Sequence, residues 1–263
     1  MPDNTETPAR HQIRVEEAVK SFSGRVVVDV DHMLLGDRPI EGLIGPNGAG
    51  KTTLMRMIMH ATGLDRGTVT LIPNGSGGDE VVLSRLPTHR MAGLGVVKSN
   101  QVIMDFEKLT IWDSLLLSVA DAKQETPYRM FGEKALFEQH EEEMREHLEF
   151  FGFADPTLHA MSAGEKKLLD IVRCLLLKPR FLMLDEPTAG LPDEMTEKVM
   201  QRVRALADAG TAIVIVEHDL NVIWKLCDEV HFMAEGKLML RGTPDEIRRH
   251  HTVIEKYLGE GHV

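Results

Sequence analysis

Gly42-Leu-Ile-Gly-Pro-Asn-Gly-Ala-Gly-Lys-Thr-Thr-Leu54 begins as a short apolar run and ends as the first turn of a helix. Within it, Gly45, four free positions and then Gly50-Lys51-Thr52 make the pattern of a phosphate-binding loop. The flanks agree with that pattern. The apolar run stops at Ile44, and beyond Lys51 the residues Leu54, Met57 and Ile58 recur at helical spacing. Glycine lets the backbone wrap an anion with successive amide hydrogens pointing inward, and the following helix offers its unpaired N–H groups and positive end. Lys51 would reach the outer phosphates, and Thr52 would set its hydroxyl on Mg²⁺. An incidental Lys-Thr after a glycine turn would lack this agreement of strand, loop and helix. The stretch predicts binding of a nucleoside triphosphate and leaves open what is done with it.

Downstream, two apolar runs supply the reacting groups. Phe181-Leu-Met-Leu184 reads as a buried parallel strand and delivers Asp185-Glu186 at its carboxyl end. Adjacent carboxylates there are costly unless they meet a metal or a reacting water. Asp185 would hold Mg²⁺ or its water shell, and Glu186 would polarise or deprotonate the attacking water. Ala212–Val216 is a second such strand and delivers Glu217-His218-Asp219 to the same sheet edge. His218 is thereby placed to donate to a γ-phosphate. Gly93-Leu-Gly-Val-Val97 suggests a further strand, followed by the polar loop Lys98-Ser-Asn-Gln101. Open α/β sheets hold ligands in such loops, and Gln101 could coordinate Mg²⁺ or orient a water; it could equally be a surface glutamine.

The remaining chain frames these groups. Residues 1–12 read as a flexible polar tail. Ile13–Val19 and Val26–Val30 are strand candidates joined by a turn at 22–25, and the segment Asp31–Pro39 turns the chain into the phosphate-loop strand. Phe22, beside that turn, is either a base-stacking ring or an ordinary edge aromatic. Gly67–Leu71 and Glu80–Leu83 are further strand candidates around a Gly-rich loop. Residues 92–160 change to charge-rich helical sequence and read as an inserted helical subdomain, with Phe137, Met144, Leu148 and Phe151 on its apolar side. Ser162 and Glu165 have capping-box spacing at the head of a helix running to Leu177. A helix from about Asp193 to Gly210, a hairpin turning at Gly236 and a last helix behind Thr243-Pro244 complete the chain.

Composition narrows the class. The chain of 263 residues is 43% hydrophobic and 27% charged, as a globular protein with a large core is. A formal net charge of −11 argues against a nucleic-acid partner. Cys174 and Cys227 stand in apolar contexts that predict buried thiols, and His60, His89 and His159 lack metal-ligand spacing. There is no signal-peptide pattern and no apolar stretch of membrane-spanning length.

With GPNGAGKTT, Gln101, MSAGE, FLMLDEP and VEHD in that order, residues 12–260 resemble the ATP-binding subunit of an ABC transporter. LDEPTAGL, VIVEHDL and GTPDEIRRHHTVIEKYLG resemble most the branched-chain amino acid and urea importers. The resemblance implies an α/β fold: a P-loop NTPase core of mostly parallel sheet, an N-terminal antiparallel β part and an inserted helical subdomain, residues 13–263 forming one ATP-binding domain. It implies ATP and Mg²⁺ as cofactors. Gly45, Asn47, Gly48, Ala49, Gly50, Lys51, Thr52 and Thr53 would form the phosphate loop, and Phe22 would stack on adenine. Gln101 would be the switch glutamine near Mg²⁺, in the loop that meets a membrane subunit. Ser162, Gly164 and Glu165 would be the signature segment that closes over ATP held by a second subunit. Asp185 would be the Mg²⁺-associated acid, Glu186 the catalytic carboxylate and His218 the switch histidine.

The implied partners are a second ATP-binding subunit, packed head to tail, and transmembrane permeases, with a substrate-binding protein acting indirectly. The implied location is peripheral, on the cytoplasmic face of the inner membrane, and the implied function is ATP-driven uptake of branched-chain amino acids, urea or a related small polar solute. The alternatives are a soluble ATPase of an assembly process such as iron–sulfur cluster assembly, or the ATPase of a lipid exporter. Three departures bear on activity. The signature reads Met161-Ser-Ala-Gly-Glu165 where the family has Leu-Ser-Gly-Gly-Gln, and Ala163 would be strained if its backbone needed a positive φ. Pro192 stands where many members have an aspartate, with Asp193 following. The stretch before Gln101 is two residues longer than the importer pattern, with Asn100 in place of the usual aromatic.

Overall fold

Period-two alternation along three apolar strands sets the layers. On β3 (Ile40–Ile44), β7 (Phe181–Asp185) and β8 (Ala212–Val216), the residues Ile40, Ile44, Leu182, Leu184, Ile213 and Ile215 face one core. Leu43, Phe181, Met183, Val214 and Val216 face a second core on the other side. A sheet buried on both faces reads as continuous apolar sequence, as these segments do.

The computed structural model describes residues 10–75, 79–99, 109–119, 132–153, 155, 157 and 161–258. β1 (Gln12–Phe22), β2 (Arg25–Leu35), β4 (Arg66–Ile72) and β5 (Val81–Val82) form an antiparallel sheet in the order β2-β1-β4-β5. The larger sheet has the order β10-β9-β3-β8-β7-β6, with β6 spanning Val96–Lys98, β9 Glu229–Ala234 and β10 Lys237–Gly242. Its neighbours pair in parallel except for the β9–β10 hairpin at the edge. The second core lies between the two sheets and takes in α1 (Lys51–Ile58) through Leu54, Met55, Met57 and Ile58. The first core lies under the helices: α2 (Ile111–Val119), α3 (Gly132–Phe151), α4 (Ala163–Leu176), α5 (Asp193–Asp208), α6 (Leu220–Leu226) and α7 (Pro244–Arg249).

Several expectations need adjustment. The polar tail is shorter than residues 1–12: Arg10 and His11 are buried, Arg10 donates to the Ala207 carbonyl at 3.0 Å, and Gln12 already pairs in β1. β2 runs on to Leu35, so the turn into β3 occupies 36–39 rather than 31–39. Residues 92–94 form a short turn and Val96–Lys98 a strand of the large sheet, so the helical part begins after residue 98 and not at 92. Met144, Leu148 and Phe151 are buried as expected, whereas the Phe137 side chain lies outside what is described. Cys174 and Cys227 are buried free thiols. Glu41 is an apolar-run exception, fully buried on β3. Its carboxylate accepts from the Gly36 and Arg38 N–H groups and pairs with buried His231 at 2.7 Å. Burial raises its pKa, and His231 partly offsets that.

Candidate nucleotide site

Strand register brings the reacting groups level. Leu43 and Asp185 both lie opposite Val216, so β3, β7 and β8 end together and release Gly45, Glu186 and Glu217 along one edge. That edge is where a parallel sheet binds ligands. Between β3 and α1 the loop is too tight for side chains at two points. A Cβ on Gly45 (φ 151°) would lie 2.0 Å from the Met233 carbonyl oxygen, and one on Gly50 (φ 99°) 2.6 Å from that of Val27. The glycine spacing read in the sequence thus has a steric cause on the protein side, before any ligand is considered.

A cleft of about 270 Å³ opens over the loop, lined by Asn47 through Thr53, Val27, Val216, Glu186 and His218. Lys51 is buried, and its Nζ donates to the Gly45 carbonyl at 2.7 Å and the Pro46 carbonyl at 3.2 Å. Burial lowers its pKa, against the opposing pull of Glu186 and Asp185. His218 Nε2 lies 3.0 Å from Glu186 Oε1 at the mouth of the cleft. Asp185 sits beside it with a fully buried side chain. Its Oδ2 accepts from Lys98 Nζ at 3.1 Å, and its N–H donates to Ser99 Oγ at 3.0 Å. Oδ1 is buried without a hydrogen-bond partner among the described residues. Asp185 does not itself line the cleft, but it acts electrostatically on Lys51 beside it, and a buried carboxylate oxygen left unpaired there suits a hard cation and its waters, so the residues fit Mg²⁺.

Glu186 itself is strained. Its φ of 51° is in the left-handed region, which costs a non-glycine residue roughly 1–3 kcal/mol unless neighbours hold it. They do so from two sides, α4 and the end of β8. Its N–H donates to the Val216 carbonyl at 2.8 Å, and Lys167 Nζ on α4 donates to the Glu186 carbonyl at 2.9 Å and to the Ala189 carbonyl at 2.7 Å. The Thr188 N–H and hydroxyl both donate to Glu217 Oε1 at 2.7 Å. Burial raises the Glu217 pKa, and the Thr188 bonds work against it.

The remaining site candidates lie apart. Ser162 caps α4: its Oγ accepts from the Glu165 N–H at 3.2 Å, and Glu165 Oε2 accepts from the Ser162 N–H at 2.7 Å. Ser162, Gly164 and Glu165 do not line the cleft. Ala163 is the first residue of α4 and is not among the residues with positive φ, so its methyl group brings no backbone strain. Phe22 does not line the cleft either; its ring is half exposed at the end of β1, with Lys20 Nζ 5.5 Å from its centre. Gln101 lies outside the described residues. Lys98, Ser99, Lys167, Thr188 and Glu217 were not singled out from the sequence. The one available signal was Lys98, a cation ending a strand parallel to that of Asp185.

The sequence pattern of the ABC transporter family matches residues 33–189. The chain belongs to this family. It is an ABC ATP-binding subunit, in a family of ATP-hydrolysing enzymes. It is 29% identical over 248 residues to the lipopolysaccharide export system ATP-binding protein LptB of Haemophilus influenzae, covering 94% of this chain and 97% of that protein. It is 30% identical over 256 residues to the high-affinity branched-chain amino acid transport ATP-binding protein LivG of Salmonella typhimurium, covering 94% and 98%. A crystal structure of a nucleotide-free ATP-binding cassette from an ABC transporter superposes with a TM-score of 0.76 at 24% identity, over 94% of this chain and 98% of that one. The expected α/β architecture, an antiparallel sheet beside a mostly parallel one, is therefore the ABC fold. Among the described residues no helix is long and apolar enough to cross a membrane.

Proposed function

We propose that this chain hydrolyses ATP to ADP and phosphate with the residues gathered at the cleft, and that it does so as half of a head-to-tail dimer. The observation that carries the reading is the Glu186–His218 pair, 3.0 Å apart, facing the phosphate loop across one cleft. The loop amides and Lys51 hold the β- and γ-phosphates. Glu186 Oε1 accepts a proton from water as the water oxygen attacks the γ-phosphorus. The bond from that phosphorus to the bridging oxygen breaks and ADP leaves. His218 donates to a γ-oxygen and shares in the charge of the transition state. Thr52 and Asp185 would hold Mg²⁺, which would supply neutralisation of the developing phosphate charge. Phe22 is exposed enough to stack on adenine, and the family resemblance puts Gln101 on the Mg²⁺ side.

The dimer follows from what one chain lacks. Ser162, Gly164 and Glu165 begin a capped helix at the surface, away from their own cleft, which is where a surface meant for another chain's γ-phosphate belongs. The ATP-binding cassette MJ0796, which shares this fold, has a dimeric structure bound to ADP and phosphate. Permease subunits would dock on the helical side beside Gln101, holding the protein at the cytoplasmic face of the membrane.

For the transported solute we favour uptake of branched-chain amino acids or a related small polar solute, supported by LDEPTAGL, VEHDL and the C-terminal stretch together with the 30% identity to LivG. Lipid export is the second reading, supported by the 29% identity to LptB. The relatives named above are transporter subunits, which disfavours an assembly ATPase. Two measurements test this. Glu186→Gln should bind ATP with the parental affinity by calorimetry and lose on the order of a hundredfold or more in turnover; turnover at the parental rate would refute the carboxylate role. Reconstituted with membrane subunits encoded beside it, the ATPase should be stimulated by a leucine-loaded binding protein, and stimulation by lipopolysaccharide alone would reverse the direction.

A further inference from the structure

Lys167 stands five residues beyond Ser162 on α4, and its ammonium group reaches back to the turn after β7. There it donates to the carbonyl oxygens of Glu186, at 2.9 Å, and Ala189, at 2.7 Å. These two carbonyls bracket the turn that Glu186 begins with a left-handed φ of 51°. The same turn is tied from the other side by Glu217, whose Oε1 takes both Thr188 donors and whose Oε2 accepts from the His218 N–H at 3.3 Å. The peptide bearing Glu186 is thus held between α4 and the strand that carries His218. A lysine whose hydrogen bonds go to two backbone carbonyls, and which forms no ion pair within 4.0 Å among the described residues, positions main chain, with the Glu217 carboxylate near enough to feel its charge.

We propose that Lys167 is a positioning residue for Glu186. By fixing the peptide of Glu186 it sets the carboxylate against the phosphate loop, and it makes turnover depend on the seating of α4. The helix that begins at Ser162, the segment proposed above to close over the partner's ATP, therefore also carries the clamp on this chain's own catalytic carboxylate. The inference rests on the assignment of Glu186 as that carboxylate.

The test compares Lys167→Met, Lys167→Arg and Glu186→Gln in the full-length protein, with ATP and Mg²⁺. Lys167→Met should lower kcat by on the order of ten- to a hundredfold, as misplacement of a reacting group by about an ångström does, with KM within about twofold of the parent. It should still form the ATP-dependent dimer, and Lys167→Arg should recover most of the rate. Lys167→Ala, which also removes the donor, gives the same reading if the Met variant is unstable. Parental turnover in Lys167→Met would overturn the proposal. So would loss of ATP binding or dimerisation in step with turnover in both the Met and Arg variants, because that pattern marks a role in the helix or the dimer surface. Glu186→Gln separates the two levels: if it is inactive and Lys167→Met is normal, only this inference fails. If Glu186→Gln turns over like the parent, the assignment of the carboxylate fails instead.

Discussion

The edge of the large sheet and the head of α4 carry comparable amounts of sequence signal and are built in opposite ways. At the sheet edge, Gly45 and Gly50 are packed against backbone, Lys51 is buried and the Asp185 side chain is inaccessible. Every group there is fixed by its own chain. At the head of α4, Ser162 and Ala163 are exposed, the capping box is satisfied within four residues, and nothing from the cleft reaches them. A capped helix start whose first residues serve no group of the cleft is what the proposed dimer would leave in a single chain. On the dimer proposed above, the contrast is between two halves of different sites, joined through α4 and Lys167.

Substitutions can break or sharpen the contrast. The largest effect should come from Lys51→Ala at the sheet edge. It removes a buried cation directed at the phosphates, and ATP affinity by calorimetry should fall on the order of a hundredfold or more; unchanged affinity would refute its role. Ser162→Ala should act in two ways. Loss of the cap should cost about 1 kcal/mol, visible as a lower melting temperature of the nucleotide-free chain. Turnover should fall several-fold through the partner's site while the affinity of the isolated chain for ATP stays put. A fall in that affinity would mean that Ser162 serves its own cleft after all. The smallest effect should be that of Ala163→Gly. Because Ala163 is helical and exposed, the change should leave turnover within about twofold and lower stability by no more than about 1 kcal/mol. A large gain in turnover would show that the methyl group crowds the partner's nucleotide.

The parts that could be read from sequence are those where one physical rule dominates. The phosphate loop is dictated by steric exclusion at glycine, so Gly45 through Thr53 stood out, and the fully buried strands β7 and β8 showed as unbroken apolar runs that placed Glu186 and His218 on one edge. β2 was cut short at Val30 because Asp31 and His32 interrupt the apolar pattern, although the strand continues to Leu35 with its sheet pairing intact. Arg10 and His11 read as tail because their burial comes from tertiary contact, which no local pattern shows. Lys167, Thr188 and Glu217 were missed for the same reason. Lys167 and Glu217 act on main chain 19 to 29 residues away, where a side chain that binds a carbonyl or an N–H leaves no paired residue in the sequence, and the Thr188 hydroxyl adds a bond to the Glu217 carboxylate.

The central claim, that the cleft is one half of a site completed by a second chain, is tested most directly by the mass of Glu186→Gln in solution. With saturating ATP and Mg²⁺ it should run at twice the mass of the single chain by light scattering, and adding Ser162→Ala should raise the protein concentration needed for the dimer several-fold. A Glu186→Gln chain that binds ATP and stays single would contradict the account.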